Sequence, residues 1–150
     1  MVKCAVALGS NLGDRVAHLD FGVSKLRHVL RNLKVSRYYD TAPVKVPGPQ
    51  PLFLNAAAVG HTSATARQLL DALLAIERER GRERPHANAP RTLDLDLILF
   101  GDAVIDDEGL VVPHPRFRER RFVLEPLTEI APGLVDPVTR KTVIQLLIDL

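Results

Sequence analysis

A chain of 150 residues and 16.6 kDa, 46% hydrophobic and 25% charged, has the size and composition of one globular domain spanning 1–150, which excludes a disordered or low-complexity protein. Its formal charge of +2 is too small to announce a nucleic-acid or membrane partner, and no apolar run reaches the roughly 18 residues of a membrane helix. One cysteine, Cys4, excludes an internal disulfide and fits a reducing compartment, so the expectation is a cytoplasmic monomer that engages neither membrane nor nucleic acid.

The apolar run 3–8, closed by the loop-forming GSNLGD at 9–14, predicts a first strand. Asp14 fits an N-cap, and Val16, Leu19, Val23, Leu26 and Leu30 recur every three or four residues, which predicts a helix over roughly 15–31. The glycines of the 9–14 loop match neither the P-loop nor the G-x-G-x-x-G pattern, so it reads as a tight strand-to-helix turn. Residues 34–39 are β-prone and predict a second strand. The stretch 41–52 carries prolines at 43, 47, 49 and 51, which exclude helix and break a sheet ladder, and a loop of this length is expected to close over a ligand. Strand pattern resumes over 53–60 with Phe53 and Asn55 on one face. A ring and an amide so placed can read a flat heterocycle by stacking and hydrogen bonding; the competing reading is a polar residue on an edge strand.

Thr65 fits the cap of a second helix with the buried stripe Leu69, Leu70, Leu73 and Ile76, and Gly81 stands where a C′ glycine belongs. Glu77, near the end of that helix, either meets an arginine or a nucleotide or is merely solvated. From Gly81 an arginine-rich, proline-broken loop leads into the strand 93–100, LDLDLILF. Strand side chains alternate faces, so Asp94 and Asp96 point the same way, about 6–7 Å apart at ~3.3 Å per residue, and Leu93, Leu95, Leu97 and Leu99 are expected on the other face. So apolar a strand is expected at the centre of the sheet, where two like charges cost on the order of several kcal/mol unless compensated. A divalent cation is the simplest compensation. Two hard oxygens on one strand suit Mg²⁺, which takes one or two carboxylates plus substrate phosphates, whereas the alternative is a half-exposed strand with solvated aspartates. Arg82, Arg84 and Arg91 lie beside the pair, and metal plus guanidinium is the combination that holds a polyphosphate.

The order strand, helix, strand, strand, helix, strand is α+β: a ferredoxin-like βαββαβ antiparallel sheet with two helices on one face and the other face open to a ligand. Beyond it, 104–105 and 110–112 predict a short hairpin. Pro113 and Pro115 then hold His114, and Arg116, Arg118, Arg120 and Arg121 offer a second basic wall for a triphosphate. C-terminal helices complete the expected fold, the last of them an apolar packing helix over 143–150.

With ALGSNLGDR at 7–15, YYDTAPV at 38–44, FLNAA at 53–57, IERERGRER at 76–84, PRTLDLDLILFG at 90–101 and VPHPRFRERRFVLEPL at 112–127, the chain resembles the 6-hydroxymethyl-7,8-dihydropterin pyrophosphokinases of folate biosynthesis. The match runs over essentially the whole length, and PRTLDLD is its most specific motif. The resemblance implies an ATP-dependent enzyme that moves the β,γ-diphosphoryl group to the hydroxymethyl group of a reduced pterin and releases AMP. It implies two Mg²⁺ ions on Asp94 and Asp96, with Asp96 also accepting the substrate hydroxyl proton and Arg82 and Arg91 stabilising the transferring group. Glu77, Arg82, Arg84, Arg91, His114 and Arg120 correspond to ATP contacts. Thr41, Val44, Phe53, Asn55, Asp94 and Phe122 correspond to the pterin pocket, with the ring between Phe53 and Phe122. Phe53 stands where tyrosine is common. His86-Ala87-Asn88-Ala89 stands where many relatives carry a tryptophan, and Pro85 where a further basic residue often follows.

Three rival readings come from different classes. A nucleic-acid-binding domain on the same split fold wants an aromatic strand rather than the acids of LDLDLILF. A small-molecule-sensing regulatory domain needs no paired carboxylates, and an ordinary kinase moves only the γ-phosphoryl group.

Overall fold

The computed structural model describes residues 1–41, 52–81 and 92–150. Its elements are β1 (Val2–Ser10), α1 (Arg15–Val29), β2 (Arg31–Val35), β3 (Tyr39–Thr41), β4 (Phe53–Thr62), α2 (Ala66–Glu79), β5 (Asp94–Phe100), β6 (Ile105–Asp107), β7 (Leu110–Val112), α3 (Arg121–Ile130) and α4 (Val143–Asp149). Both predicted caps form. Asp14 accepts the Ala17 N–H at 3.1 Å, and Thr65 with Gln68 makes a reciprocal capping box. Gly81 sits at φ +82°, the left-handed backbone that ends α2 at little cost only for glycine.

The sheet is antiparallel in the order β2-β4-β1-β5, with β3 also paired to β4, which is the ferredoxin-like arrangement. The single strand expected over 34–39 is two strands. Ser36 separates them: its hydroxyl accepts the Ala57 N–H at 2.9 Å while its own N–H donates to the Ala57 carbonyl, also at 2.9 Å. α1 is narrower than its apolar stripe implied, with Val16 exposed and Leu19, Gly22 and Leu26 buried. At Gly22 a Cβ would lie 3.3 Å from Leu8 and Leu93, so the missing side chain lets the helix approach the sheet closely.

One core lies between the sheet and α1 with α2, built on Leu19, Leu26, Leu69, Leu73, Leu93, Leu95 and Leu97. A second core covers much of the face expected to be open: Ala5, Ala57, Val59, Ile98 and Leu99 pack against Val123, Leu124 and Leu127 of α3 and Val143 and Leu146 of α4. These strands are apolar on both faces, and burying both removes more apolar surface from water than one layer of helices can. α3 is hard to see in the sequence because Pro126 lies inside it. The covered face also withdraws the wide open sheet that an RNA-binding reading needs.

β5 departs from expectation in two ways. Among the described residues it pairs with β1 alone, so it is an edge strand and not a central one. Its outer edge is nevertheless occupied, because the Leu95 N–H donates to Glu77 Oε2 at 2.7 Å and the Ile98 carbonyl accepts the His114 N–H at 2.9 Å. A β-bulge opposite Ala5 and Val6 pairs Ala5 with Leu99 and Val6 with Leu97, inserting Ile98 as an extra residue. Leu99 therefore turns into the second core, on the aspartate side, rather than joining Leu93, Leu95 and Leu97. No described helix is long and apolar enough to cross a membrane.

Candidate active site

Register builds the site. Asp94 lies opposite Gly9, Gly9 opposite Asn55, and Asn55 opposite Tyr39, which makes one row across four strands on the sheet face away from α1 and α2. The next rows bring Asp96 beside Ala7 and Phe53 beside Thr41. Gly9 has a definite role here: a Cβ on it would come within 3.2 Å of Asn55 Oδ1, so only glycine leaves the amide and the Asp94 carboxylate on one uninterrupted surface. Asn55 is 5% exposed, sits on the interior strand β4, and donates through Nδ2 to Thr41 Oγ1. The edge-strand reading of Asn55 is thereby excluded.

Between β3 and α3 lies a cleft of about 320 Å³ lined by Tyr39, Asp40, Thr41, Arg121, Phe122, Glu125 and Pro126. Thr41 and Phe122, both expected in a pterin pocket, thus line one cavity from two elements. The Arg120 guanidinium stands 5.5 Å from the centre of the Phe122 ring, bringing a nucleotide-site candidate against the aromatic wall. α3 is tied to β3 by Glu129, which accepts from the Tyr39 hydroxyl and from Arg37 Nε at 3.1 Å.

His114 is set by the bulge, since its backbone N–H donates to Ile98 O. Its Nδ1 accepts the Arg116 N–H at 3.2 Å, which leaves Nε2 as the protonated nitrogen of the neutral ring and a donor for an anionic oxygen. Burial, then the Arg120 and Arg116 charges, push its pKa down to about 4 from the ordinary 6.5. The unfolded chain therefore binds this proton more readily than the folded one, so His114 makes stability fall as pH drops from about 6.5 towards 4. His114→Asn is expected to flatten this slope against the parent chain in urea titrations across that range. An unchanged slope would place the acid sensitivity elsewhere.

Glu77 does not face solvent. It is 3% exposed, and its carboxylate anchors the edge of β5 between the two aspartates through Leu95. The signal was present, because 73 and 77 are one helical turn apart and an acid in the buried stripe of a helix must have a buried partner. Of the second basic wall, Arg118 is withdrawn: its Nε and Nη2 bind Asp136 at 2.5 and 3.0 Å, and Asp136 is fully buried. Arg121 lines the cleft and pairs loosely with Glu125 at 3.9 Å, while Arg120 stands against the Phe122 ring. Asp40, Tyr39, Gly9 and Glu129 were not singled out from the sequence, since each acts through a neighbour on another element. Arg82, Arg84, Arg91 and Val44, with the expected closure of 41–52, lie outside the described residues except for Thr41 and Leu52.

Fold and site first define a class: a ferredoxin-like α+β domain with an acidic pair on one sheet face, a neutral histidine anchored at the edge of the same strand and a cleft walled by Phe122, the outline of a transferase acting on phosphate groups. The chain belongs to the 7,8-dihydro-6-hydroxymethylpterin-pyrophosphokinase (HPPK) family, whose model matches residues 5–132. It is similar to the 2-amino-4-hydroxy-6-hydroxymethyldihydropteridine pyrophosphokinase of Bacillus subtilis, 46% identical over 127 residues, covering 83% of this chain and 75% of that protein. It is also similar to the folic acid synthesis protein fol1 of Pneumocystis carinii, 41% identical over 135 residues, covering 89% of this chain but 18% of that much longer protein. A crystal structure of Plasmodium falciparum HPPK-DHPS superposes with a TM-score of 0.80 at 14% identity over 99% of this chain and 45% of that one, which shows the shared fold.

Proposed function

We propose that residues 1–150 form one pyrophosphokinase domain that transfers the β,γ-diphosphoryl group of ATP to the hydroxymethyl group of 6-hydroxymethyl-7,8-dihydropterin, yielding AMP and the pterin diphosphate of folate biosynthesis. The observation that carries this is the register: Asp94, Asp96, Asn55, Phe53 and Thr41 share one face, with Phe122 of α3 lining the cleft that Thr41 also lines and Arg120 set against the Phe122 ring. The domain acts on these two small molecules, as a cytoplasmic monomer without nucleic acid or membrane.

The residues divide the work by chemistry. Asn55, an amide with both donor and acceptor, reads the edge of the pterin, and Phe53 and Phe122 stack on its faces. Thr41, and Val44 beyond the described residues, complete the pocket. Asp94 and Asp96 fit Mg²⁺: they are hard oxygens on one strand face, and their strand neighbours Gly9 and Ala7 are too small to crowd a hydrated cation. Two such ions, when bound, neutralise the triphosphate charge and lower the pKa of the attacking hydroxyl. Asp96 takes the proton of that hydroxyl. The new bond joins the hydroxymethyl oxygen to the β phosphorus, the bond to the α,β-bridging oxygen breaks, and that oxygen leaves with AMP. His114 Nε2, Arg120, Arg82, Arg84 and Arg91 hold phosphate oxygens, and Arg82 and Arg91 act most on the moving group. Glu77 supports the nucleotide side by holding β5 in place.

The test is product identity. ATP, Mg²⁺ and the reduced pterin are expected to give AMP in one-to-one yield with the pterin diphosphate, and chelating the metal should abolish both. ADP as the nucleotide product, with adenylate kinase excluded, would refute diphosphoryl transfer.

A further inference from the structure

Arg15 is the first residue of α1, where the helix dipole disfavours a cation. What its side chain reaches accounts for the placement. One guanidinium nitrogen, Nη1, donates both to Asp40 Oδ1 at 2.8 Å and to the Leu52 carbonyl at 2.7 Å. Asp40 directly precedes Thr41 and Leu52 directly precedes Phe53, and Thr41 and Phe53 are register partners. The same guanidinium thus spans the two strand ends that present these pocket residues.

The segment 37–40, leading into β3, is held in alternation. On the α1 side Tyr38 donates its hydroxyl to Asp20 at 2.6 Å and Asp40 meets Arg15; on the α3 side Arg37 and Tyr39 meet Glu129. Asp40 itself lines the cleft beside Thr41 and Phe122. Were Arg15 absent, Asp40 would lose its cation on the α1 side of β3 and Leu52 its contact at the entry to β4, leaving the backbone pairing of Thr41 with Phe53 as the remaining tie between the two strand ends. The pair is partly solvated, with side chains 27% and 56% exposed, so its loss affects global stability little and geometry more.

We propose that Arg15 is a positioning residue for the pterin side of the site, a clamp that sets Thr41 and Phe53 through Asp40 and Leu52 and never touches the transferring phosphates. This rests on the reading of the cleft as the pterin pocket. Arg15→Gln is expected to raise the KM for the pterin about tenfold, with kcat and the KM for ATP within about twofold of the parent chain and little change in the urea midpoint. Arg15→Lys should fall between, because an ammonium lacks the planar fork that holds two acceptors in fixed directions. The double variant Arg15→Gln/Asp40→Asn should be no worse than Arg15→Gln alone, since the two changes remove one contact. Equal rises in both KM values, or an unchanged pterin KM, would overturn the clamp. Failure of the parent chain to make AMP with the pterin would instead overturn the functional reading, and the clamp with it.

Discussion

Replacing Asp96 by alanine or asparagine is expected to lower kcat by about 10³-fold or more at saturating ATP, pterin and Mg²⁺, with the unfolding midpoint close to that of the parent chain. Both roles assigned to this carboxylate vanish together: general-base catalysis is typically worth ~10²–10⁴-fold, and charge neutralisation by a bound cation adds several kcal/mol, very roughly, to the stabilisation of the transition state. The fold should persist because the ladder bonds of β5 to β1 are made by backbone and Asp96 is only partly buried. Asparagine separates charge from shape, since it keeps the size and loses the anion. Normal turnover of Asp96→Asn under these conditions would move the chemistry to another part of the molecule.

Arg118→Ala is expected to cost about 3–5 kcal/mol of folding stability, read as a lowered urea midpoint with unchanged m-value. Asp136 is completely enclosed, and four donors converge on its carboxylate: Arg118 Nε and Nη2, the Val138 N–H at 3.0 Å and the Thr139 hydroxyl at 2.7 Å. Burial by itself would raise the carboxyl pKa. The Arg118, Thr139 and Val138 bonds outweigh it and hold the value at about 2, below the ordinary 3.8. A depressed folded pKa means that this group stabilises the fold above about pH 3.8 and ceases to do so as pH falls through about 2. Without Arg118 the carboxylate stays buried and loses its charge partner, so the deficit should be largest near neutral pH and shrink in acid. Replacing both partners, Arg118→Leu/Asp136→Leu, should recover much of the loss by removing the buried charge altogether. A deficit of Arg118→Ala below about 1 kcal/mol would mark the pair as an ordinary surface ion pair.

These two arginine-rich and acid-rich segments differ in how much of their role is local. Asp94 and Asp96 were placed on one face by strand alternation alone, and the structure keeps them there. Arg118 read as part of a basic wall because its partner lies 18 residues later on the far side of α3, where no spacing rule connects them. Leu99 departs from the expected face for a similar reason: alternation holds only while register holds, and the bulge that breaks it depends on how β1 meets β5.

By itself the sequence determined the βαββαβ order, the caps at Asp14 and Thr65, the left-handed Gly81, and the row logic that makes Asp94, Asp96, Phe53 and Asn55 a plausible site. These follow from φ/ψ preferences and from side-chain periods of 2 and 3.6, which act within a few residues. Only the tertiary structure decided that β5 lies at an edge sealed by Glu77 and His114, that α3 and α4 cover the second face, and that the cleft has Phe122 on one wall and Thr41 on the other. It also decided that Gly9 must lack a side chain and that Arg15 spans Asp40 and Leu52. Each of these is a contact between groups far apart in the chain, settled by which apolar faces and buried polar atoms can be satisfied at the same time, and that balance is a property of the packed molecule, not of any local pattern in its sequence.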